Sequence, residues 1–375
     1  MGNMAKTSKK AKTTPELAFY QKLVLNRYLM KQFGADNLKD LSANMKKPSL
    51  EEIDSEGVTG FYKHLVRIFG ESSAILERKL AEYDLNIVSH VRKINEKRDN
   101  KIVLKYFQYL SLIFVEYYLD QYFNNKAALL SGLNDFAKNF NEQYPNDLIE
   151  EYKESDLNKI ALWNATGSGK TLLMHINYYQ YLHYSKGKIP DDSTFILLTP
   201  KEGLSSQHLD DFKDSNIPAK IYEKAESRFF AKTNEINILE NTKLDRKDGD
   251  KKVAVSRFGN KNVVFVDEGH RGASGDTWYI FRNQLCENGF SFEYSATFGQ
   301  AMKASGKNDL LQEYAKCIIF DYSYKYFYGD GYGKEYNIIN LQDDSDEHLR
   351  EIYLTACLLT YYQQKKLYLA KNTDF

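Results

Sequence analysis

The sequence predicts an α/β fold, a parallel sheet covered on both faces by helices, with a helical region in front of it. Three observations carry the prediction. Short runs of continuous apolar residues, IALWNAT, TFILLTP, NVVFVDE and FSFEYSAT, have the length and character of strands buried on both faces. Helical patterns separate them, TLLMHINYYQYLHY after the first and GLSSQHLDDFKD after the second, the alternation that builds parallel sheets. The corner between the first strand and its helix, Ala165-Thr166-Gly167-Ser168-Gly169-Lys170-Thr171, is rich in glycine and ends in Lys-Thr.

Taken in order, the chain opens with MGNMAKTSKKAKTT, basic and without an apolar core, so residues 1–14 are expected to be a disordered arm rather than a secretory signal. Residues 15–100 read as a helical accessory region, since PELAFYQKLVLNRYLMKQFG and SSAILERKLAEY space apolar residues three and four apart. Residues 38–59 read as a connection within it. The stretch IVLKYFQYLSLIFVEYYLDQYF carries Lys105, Glu116 and Asp120, too polar to span a bilayer and suited to a core helix. The strand-and-helix series occupies 101–345. Near its end, YSYKYFYGDGYGKEYNIINL places Asp-Gly between aromatic runs and predicts a hairpin, with the aromatics used in packing. Residues 346–375 carry a final amphipathic helix, HLREIYLTACLLTYYQQKKLYLA.

Composition is that of a folded protein, 42% hydrophobic and 27% charged over 375 residues. The formal net charge of zero neither favours nor excludes a nucleic-acid partner, which needs only a local basic groove. Cys286, Cys317 and Cys357 show no metal spacing and read as buried free thiols of a cytoplasmic protein.

The chemistry concentrates in three places. In the glycine-rich corner, glycines let backbone N–H groups curl around phosphates, and the following helix N-terminus adds partial positive charge. Thr166, Gly167, Ser168, Gly169, Lys170 and Thr171 are therefore candidate ATP-binding residues, with Lys170 reaching the β- and γ-phosphates and Thr171 ligating Mg²⁺. The full pattern wants glycine at 164; Asn164 stands there and is expected to serve because asparagine tolerates left-handed backbone. The second place is Val263-Val264-Phe265-Val266-Asp267-Glu268-Gly269-His270, a strand ending in two carboxylates at the edge where the phosphate loop lies. Asp267 would hold Mg²⁺, largely through water, and Glu268 would orient and deprotonate the attacking water. His270 would sense the γ-phosphate. The third is Ser295-Ala296-Thr297, whose hydroxyls are placed to relay nucleotide state toward a nucleic-acid groove.

The order ATGSGKT, LLTP, DEGH, SAT resembles motifs I, Ia, II and III of superfamily 2 helicases. VDEGHRG, FEYSATF and YFQYLSLIFVEYYLDQYF look like the restriction-type branch, similar to the helicase subunit of type III restriction enzymes and related phage-defence helicases. The resemblance covers roughly residues 100–345 and thins toward the N-terminus. It implies a RecA-like P-loop NTPase lobe that uses ATP and Mg²⁺ and works on DNA, tracked on one strand of a duplex. Gln108 falls where the family reads adenine with a glutamine amide. Thr199, Pro200 and Lys201 match motif Ia, which contacts the backbone of the tracking strand, and Thr242 is a further candidate for that role. Arg271 and Gly272 extend the DEGH signature without an assigned role.

The resemblance also implies a second RecA-like lobe bearing an arginine finger, worth about 10³–10⁵ in rate, and nuclease or methyltransferase partners. No second series of strands and helices follows Thr297, and no nuclease constellation stands out. A chain of this kind is expected to be one piece of a larger system that binds ATP·Mg²⁺ and turns it over slowly. Two other functions fit the same residues: an RNA-directed helicase, and a nucleotide-gated binding module in which turnover is irrelevant.

Overall fold

The computed structural model describes residues 17–190, 193–200, 202–223, 234–249, 252–269, 276–333 and 347–371. The basic arm, Lys201, His270, Arg271 and Gly272 lie outside these residues. The chain divides into two units, residues 1–330 and 331–375. In the second, a helix runs from Glu347 to Lys371, where the amphipathic pattern predicts it.

The first unit begins with helices α1 (Val24–Gln32), α2 (Leu38–Leu41), α3 (Gly60–Phe69), α4 (Glu77–Asn95), α5 (Tyr106–Asn124) and α6 (Lys126–Gln143). The series that follows is β1 (Lys159–Asn164), α7 (Lys170–Ser185), β2 (Phe195–Thr199), α8 (Glu202–Asp214), β3 (Ala219–Ile221) and β4 (Ile236–Glu240). After a two-stranded pair, β5 (Leu244–Asp245) with β6 (Val253–Ala254), come β7 (Val263–Asp267), α9 (Asp276–Leu285), β8 (Phe290–Ser295), α10 (Phe298–Ser305) and α11 (Asn308–Cys317). The unit closes on β9 (Ile318–Tyr322) and α12 (Tyr324–Gly329).

Seven strands form one parallel sheet in the order β3-β4-β2-β7-β8-β1-β9. Alternation along each strand divides its side chains between two cores. Phe195 and Leu197 of β2 join Phe265, Phe292 and the helices α5 and α7 on one face. Ile196 and Leu198 join Val264, Val266 and the α9 residues Phe281 and Leu285 on the other. Helix α5 is buried from Tyr106 to Asp120, which explains why its apolar residues show no single stripe. The accessory helices share its core, Tyr83 and Ile87 of α4 packing in the same cluster as Tyr109 and Leu112. Beside β9, the Asn26 amide of α1 donates to the Ile319 carbonyl at 2.9 Å, satisfying a backbone acceptor on a terminal strand of the sheet.

Two local expectations are corrected. Asn164 adopts no left-handed backbone; it is the last residue of β1, paired with Tyr322, so the corner's special dihedrals fall on glycines alone. The predicted hairpin is absent among the described residues, where 324–329 is helical. Asp330 and Gly331 do form a turn, but one that ends this helix; the Asp330 carboxylate accepts from the Tyr322 hydroxyl at 2.7 Å and from Tyr106, and the Tyr322 ring stacks on Phe107 with centroids 4.1 Å apart. Of the cysteines, Cys286 and Cys317 are free and buried, whereas Cys357 is free and exposed.

Between α4, α5 and α7 lies a buried polar layer. The Glu116 carboxylate accepts from Tyr184 at 2.6 Å and Gln180 at 2.8 Å, and burial still pushes its pKa up to about 7. His90, 3.8 Å away, is driven down by burial to about 3. Below neutral pH this contact therefore joins two uncharged groups and is not an ion pair. His175, hydrogen-bonded to Ser215 at 2.7 Å, is also lowered by burial to about 3. The signs follow by linkage. The depressed histidines contribute stability that is present above their unfolded value of 6.5 and lost as pH falls toward 3. Glu116 contributes in the opposite sense, its share present below 4.5 and lost as pH rises through 7. Two histidines against one glutamate leave a net loss on acidification from pH 6.5, steeper below 4.5. Thermal melts from pH 8 to pH 4 are expected to show this fall, and a melting temperature level over that range contradicts it.

Candidate nucleotide site

Because every strand of the sheet runs the same way, all carboxyl ends lie along one edge, the place where α/β proteins bind ligands. Register sets the neighbours. Asp267 pairs with Tyr294, and Ser295 pairs with Trp163, the residue before Asn164. The glycine-rich corner and the carboxylate pair thus stand at the same level with only β8 between them, about 10 Å apart by ordinary strand spacing.

The corner is pinned from below. Ala165 N–H donates to the Tyr322 carbonyl at 2.9 Å, and both N–H and hydroxyl of Ser168 donate to the Ala165 carbonyl, at 3.1 and 2.7 Å. Gly167 and Gly169 take φ of +86° and +91°, a region where side chains strain the backbone. At Gly169 a Cβ would also come within 2.6 Å of Gln108 Nε2. Helix α7 starts at Lys170 directly after Gly169, so its first N–H groups, which have no partner within the helix, are offered at this edge. Thr166 and Gly167 are exposed, Lys170 and Thr171 half-buried.

Gln108 lies against this corner. Its Nε2 donates to the Ser168 carbonyl at 2.9 Å, and its Oε1 accepts from Lys105 N–H at 2.9 Å. Both ends of the amide are engaged here, so an adenine partner would share them.

Asp267 and Glu268 leave β7 half-buried. Glu268 has φ of +57°, unusual for a residue with a side chain. The turn is secured on both sides of the next residue: Gly269 N–H donates to the Tyr294 carbonyl at 2.9 Å, and the Gly269 carbonyl accepts from Arg282 at 3.1 Å. Asp267 Oδ2 receives His208 at 3.2 Å. On β8, the buried Ser295 hydroxyl accepts from Thr297 N–H at 3.0 Å, while the Thr297 hydroxyl makes no hydrogen bond among the described residues. Trp163 Nε1 donates to the Ala296 carbonyl at 3.1 Å and ties the two strand ends together.

The nucleic-acid candidates sit farther along the same edge. Thr199 is buried at the end of β2, its hydroxyl 2.7 Å from that of Ser205, and Pro200 is half-buried. Thr242, just past β4, is exposed, and its carbonyl accepts from Lys252 at 2.6 Å. Sequence reasoning missed His208 and Arg282. His208 sits in a predicted helix and Arg282 in one the sequence reading did not name, and nothing local says which strand end either faces.

The residues present fit a magnesium nucleotide. Glycines leave the corner without Cβ atoms, Thr171 offers a hydroxyl at the helix start and Asp267 a carboxylate one strand away. This is the sparse protein donor set expected when phosphates and water complete the shell. No cluster of three or more His, Cys, Asp or Glu stands ready to hold a metal among the described residues. No helix among them is long and apolar enough to cross a membrane.

Such a sheet, with a glycine loop opening α7 and a carboxylate pair one strand away, defines a RecA-like P-loop domain of the helicase type. Residues 134–300 match the family described as "Type III restriction enzyme, res subunit". No curated protein matches the chain in sequence. Among solved structures, the UvsW helicase from bacteriophage T4 aligns at 15% identity over 50% of this chain and 67% of its own, with a TM-score of 0.29. Another structure of T4 UvsW aligns at 16% identity over 50% of this chain and 38% of its own, with a TM-score of 0.29.

Proposed function

We propose that this chain is the ATP-binding, ATP-hydrolysing lobe of a DNA translocase or helicase in a restriction or phage-defence system. The observation that carries the reading is the common sheet edge on which the corner 166–171 and the pair Asp267–Glu268 stand with one strand between them, within a segment that matches the restriction-subunit family. Backbone N–H groups of the corner and the start of α7 hold the phosphates, and Lys170 adds its charge at the γ end. Thr171 and Asp267 hold the magnesium, which neutralises charge on the β- and γ-phosphates when bound. Glu268 accepts a proton from the attacking water, and His270 responds to the γ-phosphate. Ser295 and Thr297 relay that state toward Thr199, Pro200, Lys201 and Thr242, which contact the nucleic-acid backbone. Gln108 holds the corner and reads adenine. A second lobe and nuclease or methyltransferase partners complete the machine.

Lys170→Ala is expected to weaken binding of a fluorescent ATP analogue in magnesium by about 100-fold, the ~3 kcal/mol of a lost charge-assisted hydrogen bond. Parental affinity in that variant overturns the nucleotide reading. A gel-shift comparison with a non-hydrolysable analogue tests the rest: preference for duplex DNA supports the translocase, and preference for RNA transfers the site to an RNA-directed motor.

A further inference from the structure

Asp267 is engaged by a side chain that belongs to none of the helicase-like motifs. His208, on α8 and 4% exposed, places Nε2 3.2 Å from Asp267 Oδ2. Three residues earlier, and therefore on the same face of the helix, Ser205 meets Thr199 with hydroxyl oxygens 2.7 Å apart. One turn of α8 thus touches two strand ends, that of β2 and that of β7. An ionised carboxylate only accepts, which assigns the hydrogen to Nε2. Nδ1 is buried without a hydrogen-bond partner among the described residues, and a bare lone pair there costs less than a stranded N–H. The ring sits beside Phe212, centroids 6.2 Å apart, and Phe212 is itself stacked on His175 at 4.5 Å.

We propose that His208 is a positioning residue for the magnesium carboxylate. It holds Asp267 by Oδ2, leaves Oδ1 as the oxygen for the ion or its water, and links the strand end carrying Thr199 and Pro200 to the metal side of the nucleotide site. The inference rests on the ATP·Mg²⁺ reading above. Removing an outer donor to a ligating carboxylate typically changes metal affinity by about 10–100-fold.

The test is a magnesium titration of fluorescent ATP-analogue binding by the full chain, with a parallel series in EDTA. His208→Leu keeps bulk and removes the donor; His208→Gln keeps an N–H donor. The leucine variant is expected to raise the magnesium concentration at half-saturation about tenfold, with affinity in EDTA within about twofold of the parent. The glutamine variant is expected to recover most of that shift. His208→Ala, read in the same way, decides if the leucine variant does not fold. An unmoved magnesium midpoint overturns the proposal, and so does an equal loss with and without magnesium, the signature of a merely structural role. Lys170→Ala in the same assay separates the two levels. If it binds as the parent does, the nucleotide reading fails and this proposal with it. If it loses binding while the leucine midpoint stays put, only the role of His208 is refuted.

Discussion

Glu268→Gln is expected to bind ATP with an affinity within about threefold of the parent while turnover falls by a factor of about 10²–10⁴, the range set by a lost general base. The substitution is nearly isosteric, so the turn that carries it should persist. That turn is unusual in holding a side-chain-bearing residue at φ of +57°, a conformation that costs about 1–2 kcal/mol and persists only when its surroundings enforce it. Gly269 supplies the enforcement through its bonds to Tyr294 and Arg282. The carboxylate is thereby delivered half-buried beside Asp267 at the edge that faces the phosphate loop. Phosphate release at saturating ATP and magnesium measures the effect. A glutamine variant that turns over at the parental rate removes Glu268 from the chemistry.

Arg282→Met is expected to destabilise the folded chain by about 3–5 kcal/mol, the usual consequence of removing one partner from a buried ion pair. Arg282 is 1% exposed and Glu293 fully buried. The Arg282 Nη1 lies 3.1 Å from Glu293 Oε2, 3.1 Å from the Gly269 carbonyl and 3.3 Å from the Tyr314 hydroxyl. Tyr314 donates to the same Glu293 oxygen at 2.8 Å, and Lys159 approaches the other oxygen at 3.3 Å. Methionine replaces the bulk but strips a guanidinium from Glu293 and a donor from Gly269 in a place water does not reach. In the double variant with Glu293→Gln, the loss should be smaller, because no carboxylate is then left short of charge. Urea denaturation of parent, single and double variants measures both. A single variant as stable as the parent would show that Lys159 and Tyr314 already satisfy Glu293.

The parts of this protein legible in its sequence are those whose chemistry is local. Glycine at 167 and 169 announces backbone that other residues avoid, and Lys170-Thr171 at the start of a helix announces an anion site. Strands β2 and β7 declare themselves because both their faces are buried, leaving runs with no polar residue before the last. Strands β3, β4 and β9 of the main sheet, AKI, INILE and IIFDY, were not among the strands expected from the sequence. The false hairpin has a physical cause too. Asp-Gly between aromatics signals a hairpin turn, and Asp330-Gly331 does turn, but it closes the helix 324–329 rather than a strand, with Asp330 held by the hydroxyls of Tyr106 and Tyr322.

By itself the sequence determined the local character of each motif: which turn is built on glycine, which strand end carries carboxylates, which helix is suited to the core. Only the tertiary structure decided who stands beside whom. A crossover connection lets the next strand settle on either side of the sheet, so spacing along the chain does not say that β8 separates β7 from β1. Nor does it say that His208 reaches Asp267, or that Arg282 grips Gly269. Those contacts arise because helices packed on a twisted sheet bring residues 13 and 59 apart in sequence to the same strand end, and burial then leaves each buried charge or donor needing a partner.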